Sequence, residues 1–267
     1  MFMDDLAFLQ QTLPLQTTNI TRHRLPDGRS VWLKKANAPH PMWRYRALGA
    51  LAGGLGLDVL VPVPNPGGGE AIAQEADRLR ELTAMQLPVP QLLAQAPTGL
   101  LMSDLTEGRE PISSLGDELA QLAPQGANAL LPAWQDGLNV IARFHAAGTC
   151  LSQAFARNMV RRPNGELACL DFEDRPQDVL SLPQCQARDW LSYLHATAQL
   201  LREAGALDQA GERVRHVLAG ADAATREALR QTASRTRWMH RLPQARRWGR
   251  DVQRLSALAE LLRSAGD

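Results

Sequence analysis

A chain of 267 residues, 45% hydrophobic and 21% charged, has room for one large domain or two modest lobes, and it reads as globular rather than disordered. A formal net charge of +1 gives no global attraction to nucleic acid or membrane. No apolar run approaches the ~18 residues that a membrane-spanning helix needs. Cys150, Cys169 and Cys185 share no CxxC spacing, which argues against a disulfide framework or zinc site and fits a reducing cytoplasm. The opening MFMDDLAFLQQTLPL is acidic and interrupted by Gln and Pro, so no secretory signal is expected. The small net charge hides one asymmetry: residues 226–254 hold nine arginines against Glu227 and Asp251, about +7 in that window.

In chain order, residues 18–36 predict a β-hairpin, with Pro-Asp-Gly as the turn between TNITRHRL and RSVWLKKA. Residues 42–57, MWRYRALGALAGGLGL, have helical character weakened by their glycines, and VPVPNPGGG is a loop. Residues 70–86 predict a helix, because Ile72, Ala76, Leu79, Leu82 and Met85 recur at helical spacing. LPVPQLLAQ and GLLMSDL read as two short strands. Residues 132–147 predict a helix with Pro132 in its first turn and Gly148 as its terminator. The irregular TCLSQAFARN leads into MVRRPNGELACLDFED, a second hairpin turning at Asn-Gly. Beyond about residue 184 the period is helical throughout. Strands, one helix, strands, then a helical half with an embedded hairpin suggest an α+β chain in two lobes.

A phosphoryl-transfer site needs a cation on the nucleotide phosphates, a carboxylate to hold that cation, and oxygen ligands for magnesium. Candidates occur in that order. Lys34 ends the strand VWLK, and Glu75 lies on the next helix with leucines at +4 and +7. Asn158 follows the helix that ends in FHAAG, and Asp171 opens DFED directly after LACL.

Over roughly residues 18–200 these pieces, VxxK, ExxxLxxL, a hinge strand, FHAAG, an Asn and DFE, resemble the protein-kinase-like superfamily. The nearer likeness is to small bacterial lipopolysaccharide (Kdo/heptose) kinases and to RIO-like and aminoglycoside-phosphotransferase-like kinases. The resemblance implies a two-lobed α+β fold, with residues 1–105 as a β-rich N-lobe and 106–267 as a helical C-lobe. It implies ATP and Mg2+ as cofactors. Lys34 would pair with Glu75 and touch the phosphates, Asn158 and Asp171 would hold magnesium, and the backbone at Ser103, Asp104 and Leu105 would meet adenine. Asp189 would brace the catalytic loop. Two departures stand out. The turn LPDGR offers one glycine where a glycine-rich loop is usual. Gln153 occupies the place of the catalytic Asp, and an amide cannot take a proton at pH 7.

Each residue also has an ordinary reading. Lys35 competes with Lys34, since the two face opposite sides of the strand, Lys34 with Trp32 and Lys35 with Leu33. Glu81 competes with Glu75, which as a plain helix acid would pair with Arg78 or Arg80. Asn158 would otherwise be a loop asparagine and Asp171 a turn cap, with Glu173 and Asp174 solvated. His145 suits a structural hydrogen bond. The arginine window, with Trp238 and Trp248 interleaved, is either a solvated helical face with its tryptophans tucked in or a patch for an anionic membrane surface; nothing clear points to nucleic acid. The expected function is an ATP- and magnesium-dependent phosphotransferase acting on a saccharide or lipid-linked sugar hydroxyl, cytoplasmic or peripheral at the inner membrane. The alternative is a pseudokinase that binds nucleotide without turning it over. Nucleotidylation through Asp171 and Glu173 is a third option.

Overall fold

The computed structural model describes residues 4–37, 63, 67–110, 112–242 and 249–266. The helix expected over 42–57 lies outside them. The chain is α+β, with a small antiparallel sheet toward the N-terminus and a mostly helical C-terminal part, compatible with a kinase-like fold. It divides into two compact units: one holds the sheet together with Val160–Pro176, the other the helices that follow Ser113.

In the first unit, strands β1 (Ile20–Arg24), β2 (Ser30–Lys35), β3 (Leu92–Ala96) and β4 (Gly99–Ser103) pair antiparallel in the order β1-β2-β4-β3. The β1–β2 turn is the expected Pro-Asp-Gly: Gly28 sits at φ +88°, and Asp27 accepts a bond from the Arg29 amide. Alternation along β2 gives the sheet two faces. Val31 and Leu33 pack with Leu9, Leu13 and Leu101, while Trp32 and Lys34 face the other way. Leu9 belongs to helix α1 (Asp5–Thr12), which the acidic, Gln-interrupted start did not suggest. Leu9 and Leu13, one turn apart, are enough apolar surface to hold it on the sheet.

Helix α2 (Gly68–Ala84) starts two residues earlier than its periodicity indicates. The glycines read as loop serve packing instead: a Cβ on Gly69 would come 2.5 Å from the Pro97 carbonyl oxygen. Ala76, Leu79 and Leu82 are fully buried. The hairpin β5 (Met159–Arg161) to β6 (Leu167–Cys169) turns through Asn164-Gly165 as expected.

In the second unit, α3 (Leu115–Leu122) is a short helix not foreseen, closed by a reciprocal Ser114–Asp117 capping box. Helix α4 runs Ala127–Ala146, so Pro132 lies inside it rather than in its first turn. The helix enters from Gly126 at φ +91° and gives up one backbone bond at the proline. It ends where expected, with Gly148 at φ +76°. Helices α5 (Leu182–Glu203), α6 (Leu207–Ala219), α7 (Ala223–Thr236) and α8 (Arg250–Gly266) complete the unit. Its core centres on Trp134 and Tyr193, both buried with their polar atoms satisfied. Trp134 donates to Thr197 Oγ1 at 2.9 Å, and the Tyr193 hydroxyl donates to the Trp134 carbonyl at 2.7 Å. Cys150, Cys169 and Cys185 are free and buried, and no described helix is long and apolar enough to cross a membrane.

Gly137 makes this core testable. A Cβ there would overlap the Tyr193 hydroxyl and ring. Gly137→Ala should therefore destabilise by about 1–3 kcal/mol through overpacking, although alanine is the better helix former. Urea denaturation reads the effect, and a variant as stable as the parent would show that this contact yields freely.

Candidate functional site

The face of β2 opposite the α1 core carries Lys34, whose ammonium meets three carboxylates. Nζ lies 2.8 Å from Glu75 Oε2, 2.7 Å from Glu173 Oε1 and 3.5 Å from Asp171 Oδ1. Local structure aims each of them. Glu75 projects from α2 on the side fixed by Leu79 and Leu82, one and two turns on, and its side chain is 2% exposed. Asp171 and Glu173 follow β6, which is tied down by the Cys169 amide donating to the Pro88 carbonyl at 2.9 Å. Buried Phe172 stands between them. Asp171 adopts φ +70°, a left-handed conformation that costs an aspartate about 1–3 kcal/mol and persists only where its surroundings impose it. It is the most exposed member of the cluster, at 35%.

The charges gathered here shift both Lys34 and Glu75. Burial by itself lowers the Lys34 pKa, but Glu75, Glu173 and Asp171 more than offset it and hold the ammonium well above the ordinary lysine range. Burial raises Glu75; the attraction of Lys34 opposes this, and repulsion from Glu173 and Asp171 adds to it. The competing residues lie elsewhere. Lys35 donates to the Gln16 carbonyl at 3.1 Å, and Glu81 pairs with Arg78 at 2.7 Å. Glu173, solvated in the alternative reading that makes Asp171 a turn cap, is 16% exposed and on the lysine. The signal available for it was the i, i+2 spacing of DFE, which returns two carboxylates to one side of an extended segment around a buried aromatic. Among the described residues no group of three or more His, Cys, Asp or Glu side chains is arranged to hold a metal by itself.

At the end of β4, the Ser103 amide donates to the Gln91 carbonyl at 2.9 Å and the Asp104 amide to the Ser30 carbonyl at 3.3 Å, so both backbone donors serve the sheet. The Asp104 carboxylate is buried and ties the following turn. It accepts from the Thr106 amide and hydroxyl and the Gly108 amide, and it pairs with Arg22 Nε at 2.9 Å. Burial pushes this carboxyl up, but those donors and the guanidinium outweigh it and leave it below the usual carboxylate range. Leu105 is half-buried in the same turn.

The remaining sequence candidates belong to the second unit. Asp189, wholly buried, accepts from the Leu151 amide at 2.7 Å, the Ser152 amide at 3.1 Å and His145 Nε2 at 3.0 Å. It braces the loop, and His145 fills the structural part expected of it. Within the loop, the Gln153 carbonyl accepts from the Phe155 amide at 2.7 Å and from Asn158 Nδ2 at 3.3 Å. In the arginine window, Trp238 is 59% exposed rather than tucked in, while Trp248, Arg246 and Arg247 lie outside the described residues.

The position of Lys34 among three carboxylates makes an asymmetric prediction. Lys34→Met takes a buried cation from all three and should cost about 3–5 kcal/mol. Glu75→Gln leaves Lys34 with two carboxylates and should cost much less. The pH dependence follows from the raised pKa of Glu75: its contribution is full below the unfolded value of about 4.3 and is lost as pH rises through the folded value. The raised Lys34 keeps its contribution until pH passes about 10.4, so it is constant in that window. Melting temperatures from pH 4 to 8 should therefore show Glu75→Gln gaining on the parent as pH rises; parallel curves would contradict the assignment.

No protein-family model matches the chain. Part of it is similar to enzymes described as 3-deoxy-D-manno-octulosonic acid kinase. It is 34% identical over 129 residues to those of Xanthomonas campestris pv. campestris and Xanthomonas oryzae pv. oryzae. It is 33% identical over the same length to that of Xanthomonas euvesicatoria pv. vesicatoria. Each match takes in 46% of this chain and 48% of the relative, so the chain spans about half the length of the curated relatives it matches.

Proposed function

We propose that this protein is a saccharide kinase related to the lipopolysaccharide kinases, transferring the γ-phosphoryl group of ATP to a sugar hydroxyl in a magnesium-dependent reaction. The observation that carries the reading is the buried Lys34–Glu75 pair with the Asp171 and Glu173 carboxylates on the same ammonium. Similarity to 3-deoxy-D-manno-octulosonic acid kinases supports a saccharide acceptor.

The cluster suits ATP with a divalent cation, because it sets the Asp171 and Glu173 carboxylates beside the Lys34 ammonium. Asp171, the most exposed of them, would hold the cation; Asn158 is the second ligand that the resemblance implies. Magnesium, when bound, supplies neutralisation of the phosphate charge. Lys34 stays charged at any physiological pH and offers a fixed donor to the phosphates, while Glu75 keeps it from collapsing elsewhere. In the transfer, the bond from the γ-phosphorus to the ADP oxygen breaks and one to the acceptor oxygen forms, with the hydroxyl proton released. A loose transition state asks little of a base, so Gln153 serves by orienting the hydroxyl through hydrogen bonds. The arginines of 226–254 would set the protein on an anionic membrane surface that presents a lipid-linked acceptor.

Gln153 also favours a second reading, a nucleotide-binding pseudokinase. Thermal-shift titration tests what the two share. ATP with magnesium at a hundred times its dissociation constant should add about 2.7 kcal/mol of stability. Asp171→Asn should remove most of the magnesium-dependent part, and Asn158→Ala a share of it. Lys35→Met should change nothing, whereas Lys34→Met, if folded, should weaken nucleotide about 10- to 100-fold. An unchanged magnesium response in Asp171→Asn would sink the metal assignment.

Turnover separates the readings. Gln153→Asp restores a proton acceptor, and a general base is worth about 10²–10⁴-fold when well placed. In a competent kinase this variant should raise phosphorylation of a Kdo-bearing acceptor or reveal hydrolysis of labelled ATP. A fall in nucleotide affinity with turnover still at background would instead favour the pseudokinase.

A further inference from the structure

Helices α5 to α8 of the second unit enclose a groove of about 520 Å³ that the phosphotransfer chemistry does not use. Its floor is aliphatic: Leu194, Val214 and Leu229 are buried, and Leu218 and Leu262 half-buried. Among the described residues its rim is charged and exposed, with the guanidinium groups of Arg215, Arg226 and Arg230 against the carboxylate of Glu227. The volume falls within the roughly 300–1,000 Å³ of ordinary ligand sites. The rim is also held in place. Arg230 forks onto Glu227 at 2.8 and 2.7 Å, and Arg226 donates to the Ala219 and Ala221 carbonyls where α6 turns into α7. Arg226, Arg230, Ala233 and Arg237 follow one another at helical spacing, so the basic stripe continues to the turn Arg237–Arg241 with its exposed Trp238.

We infer that this groove binds one acyl chain of an anionic phospholipid, with the headgroup phosphate against the arginine rim. An aliphatic floor offers a sugar or nucleotide no hydrogen-bonding partners, and burying their polar groups there would be costly. It gains free energy from a hydrocarbon chain in proportion to the area covered. The excess of guanidinium over carboxylate selects a negative headgroup. An exposed tryptophan flanked by arginines suits the depth of lipid headgroups, which favours a membrane lipid over an acidic amphipathic peptide of similar charge. The proposal refines the membrane reading of residues 226–254 and rests on it, but it is independent of the phosphotransfer chemistry.

The test is sedimentation with vesicles of equal parts phosphatidylglycerol and phosphatidylcholine, against phosphatidylcholine alone. The protein should bind only the anionic vesicles and be released at high salt. Arg215→Glu with Arg230→Glu should weaken binding at least about tenfold. Ala223→Trp, which fills the groove from an exposed position on its wall, should weaken it by a similar factor of roughly ten while keeping the melting temperature and the response to ATP with magnesium. Should Ala223→Trp not fold, Ala219→Trp from the facing helix replaces it. Full binding by the folded tryptophan variant overturns the groove and leaves the membrane reading standing. A parent protein that ignores anionic vesicles overturns both, and capture of an acidic amphipathic peptide by that protein would reassign the groove to a protein partner.

Discussion

Lys34 is a buried ammonium held by three carboxylates, and that cluster organises the first unit. An isolated lysine at this depth would shed its proton, since desolvation penalises the charged form. Three carboxylates prevent that, and they must then be held close together against their mutual repulsion. The surrounding structure supplies the restraint. The alternation of β2 points Lys34 away from the aliphatic face, the leucines of α2 fix the azimuth of Glu75, and buried Phe172 with a left-handed Asp171 sets the two acids after β6.

A parallel economy governs two aspartates that, unlike Asp171, are buried. Asp104 and Asp189 both lie deep, yet each accepts from backbone amides of a neighbouring turn and from one nitrogen base, Arg22 or His145. They spend their charge on holding loops rather than on ligands. A carboxylate with its lone pairs occupied by amides fixes structure.

The Lys34 cluster and the apolar groove rest on different physics and lie in different units. The first depends on concentrated charge in a low-dielectric pocket, the second on aliphatic surface that the helices α5 to α8 leave uncovered. Arginine is common to the rim of that groove and to the exposed turn beyond α7, which is why a chain of nearly neutral total charge can carry a strongly basic face.

Much of this was legible in the sequence, because local signals carry it. Pro-Asp-Gly and Asn-Gly located two hairpins, the 3.6-residue period located α2, and Gly148 located the end of α4. The order of Lys34, Glu75, Asn158 and Asp171 raised the chemistry before any geometry was known. Periodicity in α2 also favoured Glu75, since it shares a face with buried leucines while Glu81 does not. What the sequence left open was settled by packing. Helix α1 has little amphipathic character of its own and exists because Leu9 and Leu13 find the sheet. The glycines before α2 read as loop because their local cost is visible and the Pro97 carbonyl they make room for is not. Pro132 looked like a helix start, yet the helix tolerates it once its other residues are buried. Glu173 looked solvated because nothing local shows that Lys34, 139 positions earlier, folds against it. Local stereochemistry is written residue by residue, whereas partners far apart in the chain meet only when the core that brings them together has formed.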